Sequence, residues 1–391
     1  MKFPFNFWGN PAGTVIARRS VATDPHAAIK VATASTVDWG DGTPLEAATA
    51  NVQLNHVYTA LGEMTVTITA AAPHAMNPDL SVKHPSATAV DAGWTDITLH
   101  TPSSTTFTVK PNSVLKTFRM IGESRIAFPS TADTLSRLPS IEEIEIHHYV
   151  GANNPWCVDN VKLKRFVCHT PATPIGLLGF QRCKALELVD WDVSAADVLN
   201  ELYMDAHIAF NPVYDLPNTT NIRAMFLNTT GVTSVTLTNT RKVTIAGSAF
   251  RSPSLVTVNR MDFDSVTNAG AAFMAPSMVH HPGWNGELVQ DVSNLFTNCA
   301  LLETVGDIGM ANVTNTTQMF QGCAKLRSLT LRGLKVSVAI NGLKLDATAL
   351  DAVFTSLGTA NAGATINITG NPGAATCNKT IATSKGWGVT G

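Results

Sequence analysis

Asn312–Leu326 reads NVTNTTQMFQGCAKL, and shortly before it Asp291–Leu302 reads DVSNLFTNCALL. Both contain F-x-x-C-x-x-L, as Phe320-x-x-Cys323-x-x-Leu326 and Phe296-x-x-Cys299-x-x-Leu302. Moving outward in the same phase gives Phe180, Tyr203, Phe226, Phe250, Phe273, Phe296 and Phe320, at separations of 23, 23, 24, 23, 23 and 24 residues. Cys183, Cys299 and Cys323 lie three residues after their aromatic, and Leu186, Val232, Val256, Val279, Leu302 and Leu326 lie six after it. Short runs precede the aromatic, as in Val266-Thr267-Asn268, Val292-Ser293-Asn294 and Val313-Thr314-Asn315. A fixed period of this length is the mark of a solenoid, in which each unit buries its apolar face only against its neighbours.

Within the unit, the L-x-x-V-x-L end alternates at period two and predicts one short strand per coil. The aromatic segment predicts turns or a short helical or 3₁₀ piece with its ring turned inward. Val114–Met120, Ile141–Ile146 and Leu163–Val167 keep the strand pattern without the aromatic phase, so about ten coils are expected over residues 113–358. This region resembles the BspA-type leucine-rich repeats, whose units carry inward Phe and Cys. That resemblance implies a curved solenoid with a binding or structural role.

Ahead of the repeats, strand-like alternation appears at Val52–His56 and Met64–Thr69, around a strong turn signal at Asp41-Gly42. Trp39-Gly40-Asp41-Gly42-Thr43, followed by His56-Val57-Tyr58, resembles the PKD-type β-sandwich module and implies a spacer or interaction domain over residues 1–72. Met1–Asn10 lacks a continuous apolar core and reads as mature sequence: a first-domain strand, or an arm that docks on a neighbour. Pro-rich residues 73–112 read as a connector with a small β element, including Trp94–Leu99 and Phe107–Lys110. Residues 359–391 read as a cap, preceded by an amphipathic helix at Leu350–Leu357 and containing a strand at Ala364–Gly370. The expected fold class is therefore mainly β: a PKD-like sandwich, a leucine-rich solenoid with short helical or 3₁₀ turns, and a C-terminal cap.

The 391 residues include 27 Lys and Arg against 29 Asp and Glu, a net charge of −2 with only 14% charged residues. Such a balance argues against nucleic acid and anionic membranes as partners, and no apolar run is long enough to span a bilayer. Few charges suit a chain that buries surface in a symmetric assembly of its own copies.

No nucleophile elbow, P-loop, zincin motif or dinucleotide fingerprint occurs, so no catalytic residue and no cofactor is assigned. The six cysteines form no C-x-x-C pair, and no Cys/His group has zinc spacing. Cys299 and Cys323 share one repeat position and read as buried thiols, with a disulfide as the alternative. His147-His148 and His280-His281 attract attention, but neighbours on a strand point to opposite faces, so a pair gives at most one ligand per face. Surface histidines, with a pH-sensitive contact left open, are the reading. Asp38 and Asp41 read as turn residues rather than a Ca²⁺ site. The N-x-[ST] triplets beginning at Asn218, Asn228, Asn312, Asn315, Asn367 and Asn378 read as repeat turns. Asp190 with Asp192, and Asp262 with Asp264, each share a strand face; repeat-turn acids explain them better than a glycosidase pair.

Trp156, Trp191 and Trp284 are the aromatics available for contacts. Trp284, in His280–Glu287 (HHPGWNGE), reads as part of a loop insertion that either presents the ring to a sugar or protein or folds it back onto the stack. With His280 and His281 it forms the candidate binding group.

The ending TGNPGAA…IATSKGW resembles tailed-bacteriophage structural proteins. The expected function is thus a non-enzymatic virion component, in tail fibre, baseplate or capsid decoration. It would be made in the host cytoplasm and contact other virion proteins or a host-surface glycan or protein. A secreted bacterial adhesin is the first alternative, and a glycan-degrading enzyme on a solenoid the second.

Overall fold

The computed structural model describes residues 13–20, 24–71, 78–80, 84–87, 93–101, 106–107, 114–122, 125–126, 138–147, 157–169 and 179–391. Met1–Asn10, His148 and Trp156 lie outside the described residues. The protein is mainly β, with a β-solenoid of about 11 turns and few helices. Its chain divides into two compact units, Met1–Thr173 with Lys184–Asp192, and Pro174–Cys183 with Val193–Gly391.

In the first unit the strands are β1 (Thr14–Ser20), β2 (His26–Val31), β3 (Ser35–Asp38), β4 (Glu46–Ala48), β5 (Gln53–Val57), β6 (Glu63–Ala70), β7 (Pro78–Asp79) and β8 (Trp94–Thr101). They are followed by β9 (Thr106–Phe107), β10 (Thr117–Gly122), β11 (Arg125–Ile126), β12 (Glu143–Ile146), β13 (Arg165–Cys168) and β14 (Leu188–Trp191). One sheet runs β4-β3-β6-β1-β8-β10-β12-β13-β14, and a smaller one runs β5-β2-β7. Alternate residues of β1, β3 and β6 bury Val15, Ala17, Val37, Val66 and Ile68, and β2 buries Ile29 and Val31, the two-faced burial of a sandwich. β8 pairs antiparallel with β1 and parallel with β10. One strand therefore closes the sandwich sheet and opens the parallel ladder. From there the inward residues stack in register: Phe118, Ile144, Phe166 and Val189 in one column, and Met120, Ile146, Cys168 and Trp191 in the next.

The WGDGT turn is held by its own side chains. Asp38 Oδ1 accepts from the Gly40 N–H at 2.9 Å, and Asp41 Oδ1 accepts from the Thr43 N–H and hydroxyl at 3.1 and 2.6 Å. His56 Nε2 lies 2.8 Å from Asp41 Oδ2 and stacks on Trp39 at 4.6 Å. Burial opposes ionisation of Asp41, but hydrogen bonds from Thr43 and His56 hold its carboxyl down to about 2. These bonds account for the acidic residues as turn chemistry.

The second unit carries β15 (Val213–Asp215), β16 (Ser234–Thr238), β17 (Thr257–Val258), β18 (Met261–Asp262), β19 (His280–His281), β20 (Trp284–Asn285), β21 (Thr304–Gly309) and β22 (Ser328–Arg332). Helix α1 (Ala347–Ser356) falls between β23 (Val338–Ala339) and β24 (Thr365–Asn367), and α2 (Thr380–Thr383) precedes β25 (Gly388–Thr390). A second ladder of parallel bridges runs Val198, Asn221, Ile245, Asn268, Asp291, Asn315. Its pairing puts Val289-Gln290-Asp291, not Val292-Ser293-Asn294, in the place of the V-T-N runs, with Val266, Val289 and Val313 all buried. The sequence match at Val292 was to a different inward position, four residues before the ring.

Between this ladder and the aromatic the backbone alternates its partners. Ala224, Phe226 and Asn228 donate to the next coil at Gly247, Ala249 and Arg251, while Met225, Leu227 and Thr229 donate back three residues within the coil. The alternation needs left-handed residues two before the ring: Glu201, Ala224, Ser248, Ala271, Asn294 and Gln318 all have φ between 54° and 61°. A short 3₁₀ turn occurs at Thr240–Lys242.

The seven aromatics form a continuous stack. Successive centroids from Phe180 to Phe320 are 5.6, 5.6, 6.1, 5.0, 5.9 and 5.8 Å apart, with planes within 22° of parallel. After the ring, two coils depart from the sequence phase. Pro253 and Pro276 stand three residues after Phe250 and Phe273, and the next buried residues are Leu255 and Met278 rather than Val256 and Val279. The corner there is one residue shorter, so the inward strand residues become Val258 and His281.

At the C-terminal end α1 is capped by Asp346, which accepts from the Ala349 N–H at 2.8 Å, and it buries Leu350, Val353 and Phe354. Lys385 Nζ donates to the carbonyls of Phe354, Thr355 and Leu357 at 3.0, 2.6 and 2.8 Å, closing the other end of the helix. β23, β24 and β25 form a parallel sheet of their own.

Candidate functional site

The repeat-core residues come together as the column just described. Cys299 Sγ donates to the Phe273 carbonyl at 3.0 Å and Cys323 Sγ to the Phe296 carbonyl at 3.1 Å. Thr229 makes the equivalent bond to Tyr203 at 2.6 Å, so the position selects a small donor that reaches the preceding coil. Cys183 is likewise buried, and Cys299 and Cys323 are free thiols rather than a disulfide. Burial pushes Cys299 and Cys323 up to about 12, which makes them poor nucleophiles and poor metal ligands. Tyr203 is the one hydroxylated ring of the column, and its hydroxyl bonds to that of buried Tyr214.

The candidate binding group of Trp284, His280 and His281 divides. Trp284 is fully buried, packing 5.9 Å from Phe263 and 6.0 Å from Phe273. It is not a displayed loop residue, because HHPGWNGE makes two strands around a bend rather than an insertion. Both β19 and β20 pair with β21. Gly283 and Gly286 permit this: their φ values are 84° and 125°, and a Cβ there would stand 2.1 Å from the Asp307 carbonyl oxygen and 2.2 Å from that of Phe263. His281 is also inward, and its Nδ1 accepts from the Gly283 N–H at 3.1 Å. Burial, with Arg260 nearby, lowers it to about 3, so it is neutral in the folded protein near neutrality.

His280 is exposed, with Nδ1 2.8 Å from Thr304 Oγ1. It lines an open depression of about 470 Å³ together with Thr257, Thr304, Ser328 and Thr330, over an apolar floor that includes Val258 and Val305.

Beyond it runs a polar stripe that sequence reasoning did not assemble. Asp215 Oδ1 accepts from Thr238 and Asn239, each at 2.6 Å, and Asp262 Oδ1 accepts from Asn285 at 2.6 Å. Arg260 donates to Asn285 at 2.8 Å, Arg332 donates to Asp307 at 2.9 Å, and Arg332 also pairs with Glu287. Arg241 lies 3.5 Å from both Asp262 and Asp264. That pair therefore shares a guanidinium instead of flanking an open cleft. Asp190 and Asp192 are exposed at the end of β14. The signal for the stripe was the outward strand position, one residue from each inward one, read at the coil period.

The first unit holds a further group. Glu145 Oε1 is 3.2 Å from His169 Nε2 and 3.9 Å from His147 Nε2. His147, His169 and Arg119 together hold the Glu145 carboxyl down to about 2. Sequence reading considered neighbours within a coil; the partner ring comes from the next coil, 22 residues on.

Residues 220–332 match the family described as "Mycoplasma protein of unknown function, DUF285". The repeats fit the BspA type. No curated protein and no solved structure matches the chain. None of the helices is long and apolar enough to cross a membrane among the described residues.

Proposed function

We propose that the protein is a non-enzymatic recognition scaffold whose solenoid binds a glycan or protein on a host surface, or a neighbouring subunit of its own assembly. The observation that carries this reading is the exposed His280 depression, bordered by hydroxyls, together with the Asp215–Arg332 stripe. Fixed planar guanidinium and carboxamide groups beside hydroxyls suit sugar and peptide hydrogen bonding. The sharing of Arg241 by Asp262 and Asp264 favours binding over hydrolysis.

The assembly is proposed to be a tailed-phage virion, in which the N-terminal sandwich, read as PKD-like, attaches and the solenoid is displayed. The ending Thr369–Ala375 with Ile381–Trp387 supports that placement. A bacterial surface adhesin is the second reading, favoured by the match of residues 220–332.

Mass spectrometry of purified phage particles and of host envelopes separates the two. Recovery in particles at a fixed copy number supports the virion, and recovery only in envelopes supports the adhesin. His280→Ala with Arg260→Ala should abolish adsorption to cells while leaving the circular dichroism spectrum unchanged; unaltered adsorption would refute the proposed face.

A further inference from the structure

His147 and His169 occupy the same place in consecutive coils. The His147 N–H donates to the Met120 carbonyl and the His169 N–H to the Ile146 carbonyl, both at 2.9 Å. Glu145 lies two residues before His147 and so on the same face of the ladder. The rings of His147 and His169 meet edge to face at 4.5 Å. One ligand atom from each of Glu145, His147 and His169 lies within 4.8 Å of the others. The second carboxylate oxygen, Oε2, faces Arg119 Nε at 3.6 Å, and Arg119 in turn donates to Glu143 at 2.8 Å. His100, on β8, is buried, and its Nε2 has no hydrogen-bond partner among the described residues. It belongs to the same column of strand ends, pairing with Ile121.

We propose that Glu145, His147 and His169 form a binding site for a divalent first-row transition ion, with zinc as its probe. Two imidazole nitrogens and one carboxylate oxygen are the ligand set such ions take, and three protein ligands leave a position open. Arg119 engages the outer oxygen of Glu145 and orients the inner one, the task of a group behind a ligand. The ligands come from two coils, so a bound ion ties β12 to β13. The ion would serve as a cross-coil clamp.

The test uses the full chain, titrated with Zn²⁺ by calorimetry and with Co²⁺ by visible absorption, against Glu145→Gln and His169→Ala. One ion per chain is expected for the parent protein, with cobalt bands of a nitrogen- and oxygen-ligated ion. A rise of the thermal midpoint on adding Zn²⁺, reversed by chelator, should accompany it. Each variant should lose at least what removal of an outer-shell partner costs, about 10–100-fold in affinity, along with the thermal shift. His169 is about half exposed, with a side-chain value of 49%, so its metal-free variant should melt as the parent does. The His280→Ala variant should bind as the parent does. Equal Zn²⁺ affinity in parent, Glu145→Gln and His169→Ala, or no saturable binding by the parent, would overturn the site.

Discussion

Phe296 is the residue on which the repeat depends most visibly. It is fully buried, and its ring is stacked 5.9 Å from Phe273 and 5.8 Å from Phe320. Phe296→Ala should cost about 3–5 kcal/mol, as a large ring lost from a packed core does; urea unfolding followed by tryptophan fluorescence measures it. His281 makes a different prediction. Its folded value near 3 lies below the ordinary 6.5, so below pH 6.5 the unfolded chain binds a proton the folded chain refuses. Stability is therefore full above 6.5 and falls toward pH 3, at about 1.4 kcal/mol per pH unit for one such group. Burial lowers buried His100 in the same direction. His281→Phe should flatten the stability curve between pH 4.5 and 6.5, a window above the ordinary glutamate value of 4.5; an unchanged slope would contradict the assigned burial. In sequence the His280-His281 pair looked like surface. The fixed phase pointed to Val279, and only the shorter corner after Phe273-x-x-Pro276 moves that place to Met278 and so brings His281 inward on the strand that follows.

At the scale of elements, the end of the solenoid is closed by a helix whose last carbonyls are collected by a single ammonium. Lys385→Met retains the aliphatic stem and removes three donors to Phe354, Thr355 and Leu357. The loss should be about 1–3 kcal/mol, with amide exchange rising first in Ala347–Ser356, as hydrogen-exchange mass spectrometry can read. The helix itself was legible, at Leu350–Leu357 in sequence against Ala347–Ser356 in the structure, because its apolar spacing is local and Asp346 marks its start. The turn before each aromatic was less so. Its left-handed residues include Glu, Ala and Gln, types that carry no turn signal, and their conformation is imposed by bonds to the next coil. Ala271→Gly should accordingly be neutral or stabilising, since glycine adopts φ 56° without cost, offset by its greater unfolded-state freedom. Thermal melts of Ala271→Gly beside Ala272→Gly, at a fully buried neighbour, decide it, and the second variant should be the less stable.

For the molecule as a whole, stability should follow the coil count and phase. Excising residues 268–290 removes one period and joins Thr267 to Asp291, which the bridge from Asn268 to Asp291 already makes the equivalent of Asn268. The shortened chain should unfold cooperatively, with Phe250 meeting Phe296. Excising only half of that segment should destroy the transition, because the inward column would be broken. Circular dichroism melts of the two deletions distinguish these outcomes.

What the sequence determined by itself was whatever repeats or acts locally. The aromatic period, the inward Cys and Leu, the strand at each coil's end, the WGDGT turn and the cap helix all declare themselves within one unit's length, because burial and turn chemistry there need only near neighbours. Tertiary structure decided what depends on register between coils. It folded Trp284 and His281 inward through two glycines and a one-residue shift. It aligned Asp215, Asp262, Asn285 and Arg332 into a stripe. It made Trp94–Thr101 both the last strand of the sandwich sheet and the first of the parallel ladder, and it carried His169 across to Glu145 and His147. A coil sets only which side chains point out; the hydrogen-bonded offset to the next coil sets which of them meet.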